Sequence, residues 1–315
     1  MTDLAADVGG LRLANPIMPA SGTFSEALAD VIDLDRLGAL VAKTVMPERR
    51  DGNALPRVAE TPMGMLNSIG IPCKGPEAFV RDTIPAFKRF APPFVASISA
   101  GTADDFAALA TTVVAGGADV VEANISCPNL EADGHAFAVD AAATARVTAA
   151  LRRAVAGPLW VKLSPNASDI AAIARVAAAE GADAVVVANT ILGMAVDVGT
   201  RRAKLGAGMG GLSGPAVKPV VLRMAYQCAR AVDIPVIGCG GIASVEDVLE
   251  FMIAGCAAVQ VGTATFRHPT TMIQLVDGLE AWGRAHDVAR LADLVGTLEP
   301  FAVPGVVARD GLAAE

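Results

Sequence analysis

Gly181-Ala182-Asp183-Ala184-Val185-Val186-Val187 is the stretch on which the fold turns. A helical segment ends at the glycine, which supplies a left-handed cap, and the alanine lets the helix end lie close to a sheet. The apolar run that follows has no polar alternation, so it reads as a strand buried on both faces. The same unit returns at Gly38-Ala39-Leu40-Val41-Ala42, at Gly117-Ala118-Asp119-Val120-Val121 and at Gly255-Cys256-Ala257-Ala258-Val259-Gln260-Val261. Runs that follow a proline fill the gaps: Ile17-Met18-Pro19, Phe94-Val95-Ala96-Ser97-Ile98, Leu159-Trp160-Val161-Lys162-Leu163 and Val236-Ile237-Gly238. Eight strands, each with room for a helix after it, imply an α/β fold of the (β/α)8 TIM-barrel type, with chemistry at the C-terminal strand ends. An open doubly wound sheet is the alternative; eight regular units with no break between halves count against it.

A chain of 315 residues suits one such barrel, which commonly runs to ~250 residues or more. Residues 1–290 read as a single domain, and 291–315 as a C-terminal tail beyond the eighth unit. Leu4 to Val8 and Leu11 to Leu13, joined by Gly9-Gly10, read as an N-terminal hairpin. Two connections exceed the usual few residues, Thr44 to about Pro76 and Leu192 to Leu212. Both are expected as insertions on the catalytic rim, either lids and substrate loops or disordered linkers.

A formal net charge of −8 argues against nucleic acid as a partner, because displacing counterions needs a basic footprint. The uncharged run from Phe251 to Phe266 is broken by glycine and shorter than the ~20 apolar residues a membrane span needs. The N-terminus lacks a basic region followed by an apolar one, which makes a cytoplasmic location the expectation. Five cysteines, at 73, 127, 228, 239 and 256, show no metal-binding spacing and read as free thiols; no metal site is expected.

Polar groups gather where the strands end. Strand one leaves through Ala20-Ser21-Gly22, strand two through Lys43 and strand three through Ser97, while strand five ends in Lys162 and strand six in Asn189-Thr190. An ammonium group in a barrel strand must be paired or must face a ligand, so the two lysines are site candidates. Strand four runs into Asn124-Ile125-Ser126-Cys127-Pro128-Asn129, which is either a capped turn or a carboxamide cradle around a thiol base. Gly240-Gly241 after strand seven and Gly262-Thr263 after strand eight are either tight packing turns or the phosphate site common in this fold. Gly206 to Gly211 satisfies G-x-G-x-x-G but follows Arg201-Arg202-Ala203-Lys204 rather than a strand. It is expected to be a flexible rim loop and not a nicotinamide site.

Taken in order, PIMPASG at 16–22, RVAETPMGMLNSIG at 57–70, NISCPN at 124–129, VKLSPN at 161–166, ANTILGM at 188–194, GGLSGPAVKP at 210–219, GCGGI at 238–242 and VGTA at 261–264 resemble the class 1 dihydroorotate dehydrogenases, FMN-dependent barrels. The resemblance covers roughly residues 4 to 285. The wording from 188 to 219 is closer to the B-type, NAD-linked branch, whereas Pro72-Cys73 is more like the fumarate-using A-type.

What the resemblance implies is specific. FMN would contact Ala20, Ser21, Gly22, Lys43, Thr44, Ser97, Asn124, Lys162, Gly214, Gly240, Gly241, Gly262 and Thr263, with its phosphate on the two glycine turns. Ser97 stands where the family often has asparagine. Dihydroorotate would be held by Lys43, Asn67, Asn124, Asn129, Asn189 and Thr190 and by the loop carrying Ile69, Gly70 and Ile71. Cys127 matches the general base. The implied partners are a separate FAD and iron–sulfur electron-transfer subunit and a second copy of the chain in a homodimeric core. A related FMN-dependent dihydropyrimidine oxidoreductase, a flavin-free barrel lyase or isomerase working through a lysine, and a catalytically inactive barrel serving as a binding subunit are the competing readings.

Overall fold

The computed structural model describes residues 2–126 and 137–300. Its eight-stranded sheet consists of β1 (Ile17–Pro19), β2 (Leu40–Val41), β3 (Phe94–Ile98), β4 (Val120–Asn124), β5 (Leu159–Lys162), β6 (Ala184–Val187), β7 (Val236–Cys239) and β8 (Cys256–Val261). From β2 to β8 each strand runs parallel to its neighbours in sequence, and β8 returns to pair with β1, Val259 opposite Ile17. At the remaining seam the Gly38 N–H donates to the Ile17 carbonyl at 2.8 Å. The sheet is the expected (β/α)8 barrel.

The Gly-Ala-Asp units do more than end helices. Asp183 accepts the Leu159 N–H at 2.8 Å, at the start of β5, and pairs with Arg152 at 2.8 Å. Asp119 does the same two units earlier, accepting from Phe94 at the start of β3 and pairing with Lys88, each at 2.7 Å. Each aspartate therefore joins a strand start to the preceding helical segment, satisfying a backbone donor at the barrel's N-terminal end. Gly117, Gly181 and Gly255 take the left-handed conformation expected of them, with φ of 103°, 95° and 116°. Gly38 does not; a Cβ there would meet the Asn15 carbonyl oxygen at 2.1 Å, so close packing at the seam is its reason.

Helices fill the outer layer over Ala103–Ala115, Ala141–Ala154, Ile170–Ala179, Lys218–Ala229, Val245–Ile253 and Thr271–Ala285. Thr102, Asp140, Asp169 and Ser244 cap four of them through side-chain oxygens. After β1 the expected helix is replaced by two short 3-10 turns, Glu26–Asp30 and Leu34–Arg36. There the Asp33 side chain takes the Asp35 N–H, a local bond that competes with helix continuation.

Two apolar layers result. The hairpin of Ala6–Val8 and Leu11–Leu13 sends Ala6, Val8 and Leu13 against the barrel-interior residues Met18, Val41, Val95, Trp160, Val186 and Ile237. Outward residues of the same strands, such as Val121, Val161 and Val259, pack with the helices. The hairpin plugs the N-terminal end and leaves the opposite end as the mouth.

Over that mouth the two long connections meet. Val58–Thr61, Gly64–Asn67, Met209–Ser213 and Ile191–Met194 form one antiparallel sheet, with Gly211 opposite both Asn67 and Leu192. The second half of the Gly206–Gly211 stretch is thus a strand rather than a flexible loop. A Cβ on Gly211 would lie 1.8 Å from Thr190 Oγ1, and one on Gly210 2.4 Å from the Asn67 carbonyl oxygen, so glycine allows the close approach. Residues 291–298 also pack on the barrel: Leu291 is buried and bonds to Asp3, while the Gly296 and Leu298 N–H groups reach Met252 and Ile253. Among the described residues no helix is long and apolar enough to cross a membrane.

Candidate active site

Alternation along the strands decides what fills the barrel above the hairpin. Trp160, Val120 and Ala258 point inward, so Lys162, Glu122 and Gln260, two residues further on, point inward as well. They meet in the middle of the barrel. Lys162 Nζ donates to Gln260 Oε1 at 2.8 Å, and Gln260 Nε2 donates to Glu122 Oε2 at 2.5 Å. All three are buried. Burial opposes the charge on Lys162, but Cys239 and Glu122 beside it outweigh that cost and hold its pKa above the usual lysine value. Burial pushes the Cys239 thiol up, against the pull of Lys162. Lys162, Cys239 and Glu122 therefore form one coupled group, in which Cys239 and Glu122 both favour the ammonium form of Lys162.

Lys162 and Cys239 form part of the floor of a cavity of about 1070 Å³. This volume lies just above the ~300–1,000 Å³ usual for small-molecule sites, with room for a cofactor and a substrate together. Ala20, Ser21, Gly22, Lys43 and Thr44 line one side. Gly22 has φ of 80°, and a Cβ there would come within 3.2 Å of Lys43 Nζ, so glycine lets the lysine lie against the β1 turn. Asn67, Ile69, Gly70 and Ile71 line the cavity from the rim. Ile71 is β-branched yet has φ of 46°, next to Gly70 at 76°, a strained turn of the kind found at ligand sites.

The glycine turns form the far wall, where Gly214, Gly240, Gly241, Gly262 and Thr263 line the cavity. A Cβ on Gly241 would come within 2.8 Å of the Lys218 backbone nitrogen, and one on Gly214 within 2.7 Å of Gly64 Cα. Thr263 Oγ1 donates to Ser213 Oγ at 2.8 Å, which ties the β8 turn to the rim sheet. The helix after β7 is already closed by a capping box between Ser244 and Asp247, whereas the turn Thr263–Arg267 has no side-chain cap.

The carboxamides form a connected group. Ser126 Oγ donates to Asn124 Oδ1 at 2.7 Å, and Asn189 Nδ2 donates to Ser126 Oγ at 3.0 Å. The Asn189 Oδ1 accepts the Thr190 N–H at 2.8 Å. Asn166 accepts the Leu192 N–H at 3.0 Å and so anchors the loop that carries Thr190 into the rim sheet. Asn124, Asn189 and Thr190 all line the cavity.

Apart from Ser97, the expected site residues among those described converge on this one cavity. Ser97 is fully buried, and its Oγ lies 2.9 Å from Thr44 Oγ1, behind the cavity wall. Cys127 and Asn129 fall outside the described residues. Sequence reasoning gave no role to Ser126, Ser213, Glu122 or Gln260. The last two carried a usable signal: a single polar residue within an otherwise apolar buried strand needs a partner.

The donor set suits a flavin and a pyrimidine: ammonium groups, carboxamides that both give and accept, and backbone turns that a Cβ would obstruct. Comparison with known proteins agrees. The family model described as dihydroorotate dehydrogenase matches residues 3–282. A protein of Pelobacter propionicus described as the catalytic subunit of dihydroorotate dehydrogenase B (NAD(+)) is 46% identical over 304 residues, 94% of this chain and 99% of its own length. Proteins with the same description from Trichlorobacter lovleyi and Porphyromonas gingivalis are 44% and 45% identical, over 94% and 92% of this chain and 98% and 95% of their own lengths. The chain belongs to the dihydroorotate dehydrogenase family, whose members are flavoprotein oxidoreductases.

Proposed function

We propose that this chain oxidises dihydroorotate to orotate with bound FMN, a step of pyrimidine biosynthesis. The observation that carries the proposal is the convergence of Asn67, Asn124 and Asn189, from three separate elements, with Lys43 and Lys162 on one cavity. A dihydropyrimidine ring presents alternating N–H and C=O groups, and carboxamides match both. Lys43 and the strained Gly70-Ile71 turn offer a cation and backbone N–H groups to a substrate carboxylate, which dihydroorotate has and dihydrouracil lacks. That favours dihydroorotate over other dihydropyrimidines.

When bound, FMN supplies the hydride acceptor at its N5. Lys162, Lys43, Thr44, Ser21 and Asn124 would hold its ring end, and the turns at 240–241, 262–263 and Gly214 its phosphate. Cys127 takes the proton from the ring carbon next to the carbonyl, as the resemblance implies, while hydride leaves the neighbouring carbon. A cation at Lys162 stabilises the negative charge that reduction brings into the cavity. A separate FAD and iron–sulfur subunit would take up the electrons, in keeping with relatives described as catalytic subunits of an NAD(+) enzyme. A homodimer of this chain forms the core of that assembly.

The purified protein should be yellow, and dihydroorotate should bleach its flavin band without oxygen. Failure to take up FMN sinks the proposal. Bleaching by dihydrouracil but not by dihydroorotate moves the substrate to the other dihydropyrimidines.

A further inference from the structure

We propose that Glu122 and Gln260 are positioning residues: a hydrogen-bonded relay inside the barrel that keeps the Lys162 ammonium charged and fixed at the cavity floor. The inference rests on the flavin reading of that cavity. Neither residue lines the cavity; both act through Lys162.

The chemistry of the three groups leaves one arrangement. Lysine only donates and a carboxylate only accepts, so the amide between them must turn its oxygen to Lys162 and its nitrogen to Glu122. Gln260 therefore carries the influence of a carboxylate to an ammonium group that does not touch it. A structural ion pair would bring the charges together. Here they are kept one amide apart, which leaves Lys162 without a carboxylate in direct contact among the described residues.

A second observation points the same way. Glu122 is fully buried, and its Oε1 has no hydrogen-bond partner among the described residues. An interior carboxylate with one bare oxygen costs stability, and apolar side chains of similar size would fill the space without that cost. Its one hydrogen-bonded oxygen serves Gln260. Among the described residues the titratable groups facing Lys162 are Cys239 from β7 and Glu122 from β4, and both favour its ammonium form; Glu122 is the one that reaches it through Gln260.

The test compares wild type, Glu122→Gln, Gln260→Met and Gln260→Glu as full-length protein labelled with 13C at the lysine ε-carbon. A Lys162→Met control assigns the signal. Without cofactor, Lys162 should lose its proton at lower pH in Glu122→Gln and Gln260→Met, by roughly one unit or more, tenfold in proton affinity. Gln260→Glu sets a carboxylate directly against Lys162 and should return its titration to the wild-type value or above. With FMN bound, the alkaline limb of flavin reduction by dihydroorotate should move with the Lys162 titration, while substrate KM stays within about two-fold. A Lys162 titration unchanged in both Glu122→Gln and Gln260→Met overturns the relay, including where the melting temperature falls, because that is the result of a purely structural role. A wild-type protein that takes up no FMN overturns the flavin reading instead. The cofactor-free titration still decides whether the relay exists.

Discussion

Asn189 donates to Ser126 across 3.0 Å, joining the end of β6 to the turn after β4. Ser126 passes the contact on to Asn124, so one hydroxyl sets the orientation of two carboxamides that line the cavity. Ser126→Ala removes that link and leaves only a 3.5 Å approach between Asn189 Nδ2 and Asn124 Oδ1. Asn124 then loses its fixed direction, and Asn189 keeps only the Thr190 N–H on its oxygen. We expect KM for dihydroorotate to rise about tenfold, equivalent to ~1.4 kcal/mol, in line with the loss of oriented hydrogen bonds. The flavin spectrum and the melting temperature should change little. Steady-state kinetics beside a thermal scan checks the prediction.

Gly241 carries a different kind of constraint. Its φ of 76° and the 2.8 Å approach to the Lys218 backbone leave no space for a Cβ. Gly241→Ala should destabilise the protein by ~1–3 kcal/mol, from left-handed strain and the displaced turn together. Because the turn belongs to the proposed phosphate wall, FMN should bind at least about tenfold more weakly. Fluorescence titration of the apoprotein with FMN, followed by the same titration with riboflavin, separates the two effects. A loss confined to FMN places the phosphate at this turn, whereas an equal loss for both ligands places it elsewhere.

The barrel was legible because its strands are consecutive and locally marked. A glycine, an alanine and an uninterrupted apolar run report burial on both faces without reference to distant residues. The rim sheet was not legible. Its strands Gly64–Asn67 and Met209–Ser213 lie far apart in sequence, and glycines at 193, 210 and 211 remove the alternation that betrays a strand. The site shows the same division. Lys43, Lys162 and the asparagines stood out as polar groups at strand ends, whereas Glu122 and Gln260 are separated by 138 positions and each reads alone as an oddity in an apolar strand. Only barrel closure brings them into line.

Lys218 and Asp247 provide a pH-dependent test of the cap after β7. Asp247 accepts from the Ala243 and Ser244 N–H groups and from Lys218 Nζ at 2.7 Å, while Lys218 also pairs with Glu250 at 2.9 Å. Burial raises the Asp247 pKa, but the Lys218 ammonium and the two backbone donors outweigh it, leaving Asp247 below its ordinary value. Its contribution to stability is therefore present above the unfolded aspartate value, ~3.9, and lost as pH falls through the folded value. Lys218 behaves in the opposite sense. Burial lowers it, Asp247 and Glu250 more than compensate, and its contribution is lost as pH rises beyond ~10.4. Asp247→Asn should cost about 1 kcal/mol at neutral pH, as a lost helix cap does, and flatten the acid limb of the stability profile. Urea titrations from pH 3 to 7 read both changes; an acid limb as steep as wild type would show that other carboxylates set it.

Thiol chemistry tests the proposed base. Burial pushes Cys228 up to about 12, with Asp169 adding to the effect, and burial also raises Cys239 and Cys256. Since the thiolate is the nucleophile, none of these three should react with iodoacetamide in the folded protein near pH 8. Cys73 is half-buried and donates weakly to the Glu48 carbonyl at 3.3 Å, so it should be alkylated slowly. A base at Cys127 must form thiolate near neutrality, which makes it the fastest thiol to alkylate, and dihydroorotate should protect it while leaving Cys73 unprotected. Mass spectrometry of the labelled peptides gives both rates. Cys127→Ser replaces a thiol of pKa ~8.5 with a hydroxyl far harder to deprotonate, and flavin reduction near neutral pH should slow by roughly 10²–10⁴. The loss should ease as pH rises, because the fraction of ionised serine grows with each unit. A Cys127→Ser protein reduced at the wild-type rate, or alkylation at Cys127 indifferent to substrate, would remove this residue from proton transfer and direct the search to the other polar groups on the same cavity.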